Sequence, residues 1–129
     1  MPPKKHINFD LSKETDVVTL TVQNGDEMCR MPLNAADVSM VLAQLAEIRQ
    51  RMKPPVQTDP PLGTLPRVAF DAKWWATPDH QNEGVTLMMR DPGYGWIGYM
   101  MPIKEAMSVA EYLNRWAELV RAKPPQRMN

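Results

Sequence analysis

Residues 29–52 read CRMPLNAADVSMVLAQLAEIRQRM, and residues 99–122 read YMMPIKEAMSVAEYLNRWAELVRA. Each stretch passes through Met-Pro as a short extended segment, enters an amphipathic run and stops at Lys-Pro-Pro, Lys53-Pro54-Pro55 in one and Lys123-Pro124-Pro125 in the other. In the first, Asn34 is a good N-cap. Asp37, three residues on, sits in the first turn, where free backbone N–H groups favour negative charge. Val38, Val41, Leu42, Leu45, Ile48 and Met52 recur at helical spacing, with Gln44, Glu47 and Arg51 on the opposite face. Lys53-Pro54 is expected to end the helix, because the residue before a proline is pushed out of the α region.

Working back towards the N-terminus, Glu27 to Leu33 reads as the strand that feeds this helix. Asn24-Gly25 before it is a hairpin signal, since a type I′ turn needs positive φ at both central residues. Val18, Leu20 and Val22 alternate with Val17, Thr19 and Thr21, a β-branched strand. Ile7, Phe9 and Leu11 alternate with Asn8, Asp10 and Ser12, the period-2 mark of a strand with one apolar face. The unit is therefore βββα.

The same order returns later. Val68-Ala69-Phe70-Asp71 matches Ile7-Asn8-Phe9-Asp10, Val85-Thr86-Leu87 matches Val18-Thr19-Leu20, and Met101-Pro102-Ile103 matches Met31-Pro32-Leu33. Leu113, Trp116, Ala117, Glu118 and Leu119 match Leu42, Leu45, Ala46, Glu47 and Ile48, one residue out of step with the flanking matches. The extra residues of the second copy fall in two loops, Thr77 to Gly84 and Asp91 to Gly95. The fold expected is α+β: a tandem duplication of a βββα unit in a single domain, with a mostly antiparallel six-stranded sheet or sheets and two amphipathic helices packed on one face. Repeat 1 spans about 6–52 and repeat 2 about 67–122. A Pro-rich linker at 53–66, with Pro54, Pro55, Pro60, Pro61 and Pro66, is stiffened toward polyproline, and 123–129 reads as a flexible tail.

Bulk composition restricts function more than it assigns it. The 129 residues carry 15 Lys+Arg and 15 Asp+Glu, a formal net charge of zero, so no long-range field draws the chain to nucleic acid or an anionic membrane. The single cysteine, Cys29, permits no internal disulfide and suits a reducing cytoplasm. MPPKKHINFD has no apolar core of a signal peptide, and no apolar run approaches the roughly 20 residues of a membrane helix. A small cytoplasmic protein of bacterial or phage type, away from the membrane, is expected.

The two helix-facing sets would be Ile7, Phe9, Leu11, Val18, Leu20, Val22, Cys29 and Met31 in the first copy. In the second they would be Val68, Phe70, Trp74, Val85, Leu87, Met89, Tyr99 and Met101. The outer faces then differ. The first shows Asn8, Asp10, Thr19, Thr21, Met28 and Arg30. The second shows Asp71, Lys73, Trp75, Met88, Arg90, Trp96 and Met100, too apolar for open water. Trp, Met and Arg are the residue types enriched at interface cores. Lys73, Trp75, Met88, Arg90, Trp96 and Met100 are the candidate binding residues.

Catalytic and metal chemistry has little to build on. His6 and His80 have no second ligand at metal spacing, and one cysteine cannot make a structural zinc site. Asp71, Asp79, Glu83 and Asp91 read as solvated loop charges, and Gly93-Tyr94-Gly95 lacks the lysine and helix of a phosphate loop. No catalytic residue, metal or cofactor is expected. Strands followed by a helix, in paired copies, are similar to the element order of the PC4/Whirly class of single-stranded-DNA binders. The resemblance is of element order and carries no site onto this chain; separately, exposed aromatics beside Lys73 and Arg90 on a sheet suit base stacking, as in sheet-based single-strand binders. The function expected is non-enzymatic binding of a protein partner or of a second copy, with single-stranded nucleic acid as the alternative.

Overall fold

A computed structural model of the chain describes residues 4–63 and 67–122. The chain divides into two compact units, Met1–Leu65 and Pro66–Asn129. The tail expected at 123–129 and the last residues of the linker lie outside the described residues.

The first unit runs β1 (Lys5–Ser12), β2 (Val17–Asn24), β3 (Glu27–Leu33) and α1 (Ala35–Arg49). The strands form an antiparallel sheet in the order β1-β2-β3. Its register places Ile7, Val22 and Cys29 in one row, Phe9, Leu20 and Met31 in the next, and Leu11, Val18 and Leu33 in the third. These share a face, as the alternation requires. The β2–β3 loop is Gly25-Asp26, with Gly25 at φ +64. Glycine at the first central position marks a type II′ turn rather than the type I′ expected from Asn24-Gly25. Asn34 caps α1 in a complete capping box: Oδ1 accepts from the Asp37 N–H at 2.8 Å, and Asp37 Oδ2 accepts from the Asn34 N–H at 3.0 Å. The helix ends at Arg49, ahead of Met52. Arg49 turns back to donate to the carbonyls of Met52 and Pro54.

The second unit runs β4 (Trp74–Asp79), β5 (Gly84–Asp91), β6 (Gly95–Pro102) and α2 (Ile103–Ala122), with sheet order β4-β5-β6, again antiparallel. The two units share element order and pairing, but the register changes which residues correspond. Leu20 pairs with Phe9 and Met31, and Leu87 pairs with Ala76 and Tyr99. The counterpart of Ile7 is therefore Trp74, and that of Met31 is Tyr99. Val68 and Phe70 do not lie on a strand. The chain bends there, with Asp71 at φ +51, a conformation that interrupts an extended run. Thr77 and Pro78, expected in a loop, belong to β4. The turns at 13–16 and 80–83 are equally long, and each ends on a carboxylate residue at positive φ, Asp16 at +51 and Glu83 at +50. One extra residue, in the β5–β6 loop, separates the two patterns. Beyond it Val38, Val41, Leu45 and Ile48 correspond to Ala106, Val109, Leu113 and Trp116, and no slip is needed inside the helix.

Two expectations need correction. The strands form two three-stranded sheets, not one sheet of six. The helices also leave most of the sheet faces open. α1 meets β3, and α2 meets β5 and β6, sparsely. Val38, Val41 and Leu42 are half-buried, as are Ala106 and Val109, whereas Leu45, Ile48, Leu113, Trp116 and Val120 are exposed. Among the described residues Leu33 alone is a buried hydrophobic. The sets expected to face the helices are largely open, with Phe9 63% and Trp74 66% exposed.

Candidate functional site

β5 is the centre of the second sheet, and its pairing on both sides fixes which side chains share a face. One row holds Trp75, Met88 and Gly98; the next holds Thr77, Thr86 and Met100. Arg90 pairs with Trp96. The Arg90 N–H donates to the Lys73 carbonyl at 2.9 Å, which extends the β4–β5 register to place Lys73 opposite Arg90. All six candidate residues, Lys73, Trp75, Met88, Arg90, Trp96 and Met100, thus fall on one face in three adjacent rows, although Lys73 stands just before β4.

The face is open. Trp75 is 64% exposed and Trp96 53%; Met100, Arg90 and Lys73 are exposed, and Met88 is half-buried. Gly98 leaves a gap along β6 between Trp96 and Met100. A side chain built there would only touch Met88 Cγ and Thr86 Cγ2 at ordinary contact distances, so the gap is a shallow dip beside those two side chains. Two indoles, two thioethers and a guanidinium around a dip form a surface suited to burial against another apolar surface, with charge at one end.

The opposite face of the same sheet carries Trp74, Met89 and Ile97, then Ala76, Leu87 and Tyr99, then Pro78, Val85 and Met101. Segment 67–72 reaches this side and forms an open cleft of about 340 Å³, lined by Arg67, Val68, Ala72, Met89, Ile97 and Tyr99 among others. Arg67 holds the segment in place. Its guanidinium donates to Asp91 Oδ1 and stacks over the Tyr94 ring, 5.0 Å from the centroid. Asp91 Oδ1 also accepts from the Gly93 and Tyr94 N–H groups at 2.7 and 2.9 Å. The Arg67 hydrogen bond, supported by these two, lowers the Asp91 carboxyl to about 2. Asp79 is engaged in a similar way: the Asn82 side chain and backbone hold its pKa below the usual value and close the 80–83 turn.

Asp79 and Asp91 are therefore structural carboxylates, each committed to a turn. The Arg67–Asp91–Tyr94 clasp was invisible in the sequence because its partners are far apart and no local spacing marks them. Cys29, expected to face a helix, is exposed on the apolar face of the first sheet. Among the described residues no group of three or more His, Cys, Asp or Glu side chains is placed to hold a metal ion. No helix of the described residues is long and apolar enough to cross a membrane. No protein-family model matches the chain, and no curated protein or solved structure matches it either.

Proposed function

We propose that the chain is a tandem duplication of a βββα unit and acts as a small binding protein, associating with a second copy of itself through the outer face of its second sheet. Trp75, Met88, Trp96 and Met100 would be buried against the same residues of the partner, with Arg90 and Lys73 at the rim. What carries this reading is the register of β4, β5 and β6, which gathers four large apolar side chains and two cations into one exposed patch. A twofold contact needs only one self-complementary patch. A reducing cytoplasm would keep the exposed Cys29 as a thiol. Sedimentation equilibrium tests the proposal: wild type is expected to dimerise at micromolar concentration, and Trp96→Ser to weaken that association. A wild-type chain that stays monomeric at 100 µM or more refutes it.

One observation favours a second reading. Arg90 and Lys73 flank each other beside Trp96 on an open sheet, an arrangement that suits a stacked base with its phosphate alongside. Tryptophan fluorescence titrated with oligo-dT separates the two. Quenching at low salt that fades at high salt and is lost in Trp96→Ser would favour nucleic acid. A flat trace at low salt removes that reading.

A further inference from the structure

We propose that β1 is a second, separate self-association site, pairing edge to edge and antiparallel with β1 of another copy about a twofold axis beside Asn8. Each sheet has two edge strands, and three of the four are blunted. β3 carries Pro32, β4 carries Pro78, and β6 carries Gly95, Gly98 and Pro102. Proline removes a ladder donor and glycine weakens a strand, which are common ways of protecting an edge. β1 has neither in eight residues, and every residue along it is exposed. It pairs with β2 alone, so its outer row of backbone N–H and C=O groups is open to a second strand.

The side chains select the partner. Ile7, Phe9 and Leu11 occupy one face of β1. A partner strand keeps its apolar residues on that same side only if each residue sits opposite one of equal parity. An axis beside Asn8 meets this condition. It sets Asn8 against Asn8, Ile7 against Phe9, and His6 against Asp10, with Lys5 against Leu11 at each end of the apolar face. It also places Lys4 opposite Ser12 and diagonal to Asp10, within reach of a cross-strand contact. Charge is segregated along the strand, with Lys4 and Lys5 at its start and Asp10, followed by Glu14 and Asp16 in the turn, at its end. Antiparallel pairing brings the basic end of each copy to the acidic end of the other, twice. An axis beside Phe9 would instead put Asn8 against Asp10, His6 against Ser12 and Lys5 against the like-charged Lys13, which offsets the one opposed pair, Lys4 with Glu14 in the turn. The first register therefore joins two three-stranded sheets into six strands across two copies, with Ile7, Phe9 and Leu11 of both on one continuous face.

Cross-linking of the full chain in a Cys29→Ser background tests the pairing. Asn8 is exposed on the polar face, so Asn8→Cys leaves the fold unaffected. Its thiol lies opposite its twin and is expected to give a covalent dimer as the main species in a glutathione redox buffer. Ser12→Cys is the control, because its twin lies roughly 26 Å further along the partner strand, beyond disulfide reach. The dimer is expected to persist when Trp75→Ala is added, since the outer face of the second sheet is not involved. Asp10→Lys should raise the dissociation constant of this contact roughly tenfold, and adding Lys4→Glu and His6→Glu should restore it. Asn8→Cys linking no faster than Ser12→Cys would overturn the proposal. So would loss of the link in Trp75→Ala, or failure of the charge exchange to restore association.

Discussion

Trp74 and Trp75 offer a controlled test of the outer-face dimer. They are chain neighbours, 66% and 64% exposed, and point to opposite faces of one strand. A tryptophan side chain buries up to about 200 Å², so each has roughly 130 Å² left to bury. At about 25 cal/mol per Å² that is about 3 kcal/mol per side chain. A twofold interface contains the residue twice. Halving the total for incomplete burial and the area an alanine retains leaves about 3 kcal/mol per dimer, roughly a 100-fold rise in Kd. Trp75→Ala is therefore expected to weaken self-association about 100-fold and Trp74→Ala less than threefold. Sedimentation velocity over a concentration series measures both, with Asp10→Lys carried in each protein so that the β1 edge contributes little. Equal weakening by the two substitutions would refute the assignment of faces. An unchanged Kd in Trp75→Ala, in a chain that does dimerise, would refute the interface itself.

Three further predictions concern the scaffold. Asn34→Ala removes one half of the capping box and should cost about 1 kcal/mol in urea unfolding followed by circular dichroism. Asp91 has its folded pKa lowered to about 2, against roughly 3.9 when unfolded. The clasp therefore contributes fully above pH 4, and its contribution is lost as pH falls from about 4 through about 2. Asp91→Asn should remove that acid sensitivity, as read from tryptophan fluorescence. Gly84→Ala would drive its Cβ into the Met101 carbonyl on the neighbouring strand and should destabilise the second unit by about 2 kcal/mol; an alanine variant as stable as wild type would show that the β5–β6 pairing differs from this register.

The sequence revealed faces better than it revealed cover. Period-2 alternation placed Ile7, Phe9 and Leu11 together and Trp75, Met88, Trp96 and Met100 together, because side-chain direction in a strand depends only on parity and pairing. The Asn34–Asp37 cap was legible because both partners lie within one turn. The start of β4 was not. Val68 and Phe70 alternate like a strand, but Asp71 at positive φ and the pull of Arg67 toward Asp91 bend that segment away, and the second partner lies far along the chain. Matching Met-Pro to Met-Pro also misled. Pro32 lies within β3 opposite Thr19, whereas Pro102 closes β6 opposite Gly84 and directly precedes α2. Punctuation recurred in the sequence while strand register did not. The apolar stripe of α2 read as a buried face because helical spacing reports amphipathicity and not what meets it.

Two separate globules of half this chain's mass would together expose roughly 8,400 Å², whereas the chain exposes 12563 Å². Segment 53–63, open along its length, supplies part of the difference. Ile7, Phe9 and Leu11, Trp74, Trp75 and Tyr99, and Leu113, Trp116 and Val120 of α2 are among the large apolar side chains left exposed. A standard interface buries about 800 Å² per partner, so there is surface enough for more than one contact per chain. A protein with two distinct twofold contacts, at the outer face of the second sheet and at the β1 edge, does not stop at a dimer. Axes that cross close a tetramer, and axes that do not cross give an open chain. Wild type is therefore expected to pass from dimer to larger species as concentration rises. Trp75→Ala or Asp10→Lys alone should cap assembly at the dimer, and the two together should lower it to monomer. A monomer produced by either substitution alone would show that the two surfaces are not independent sites.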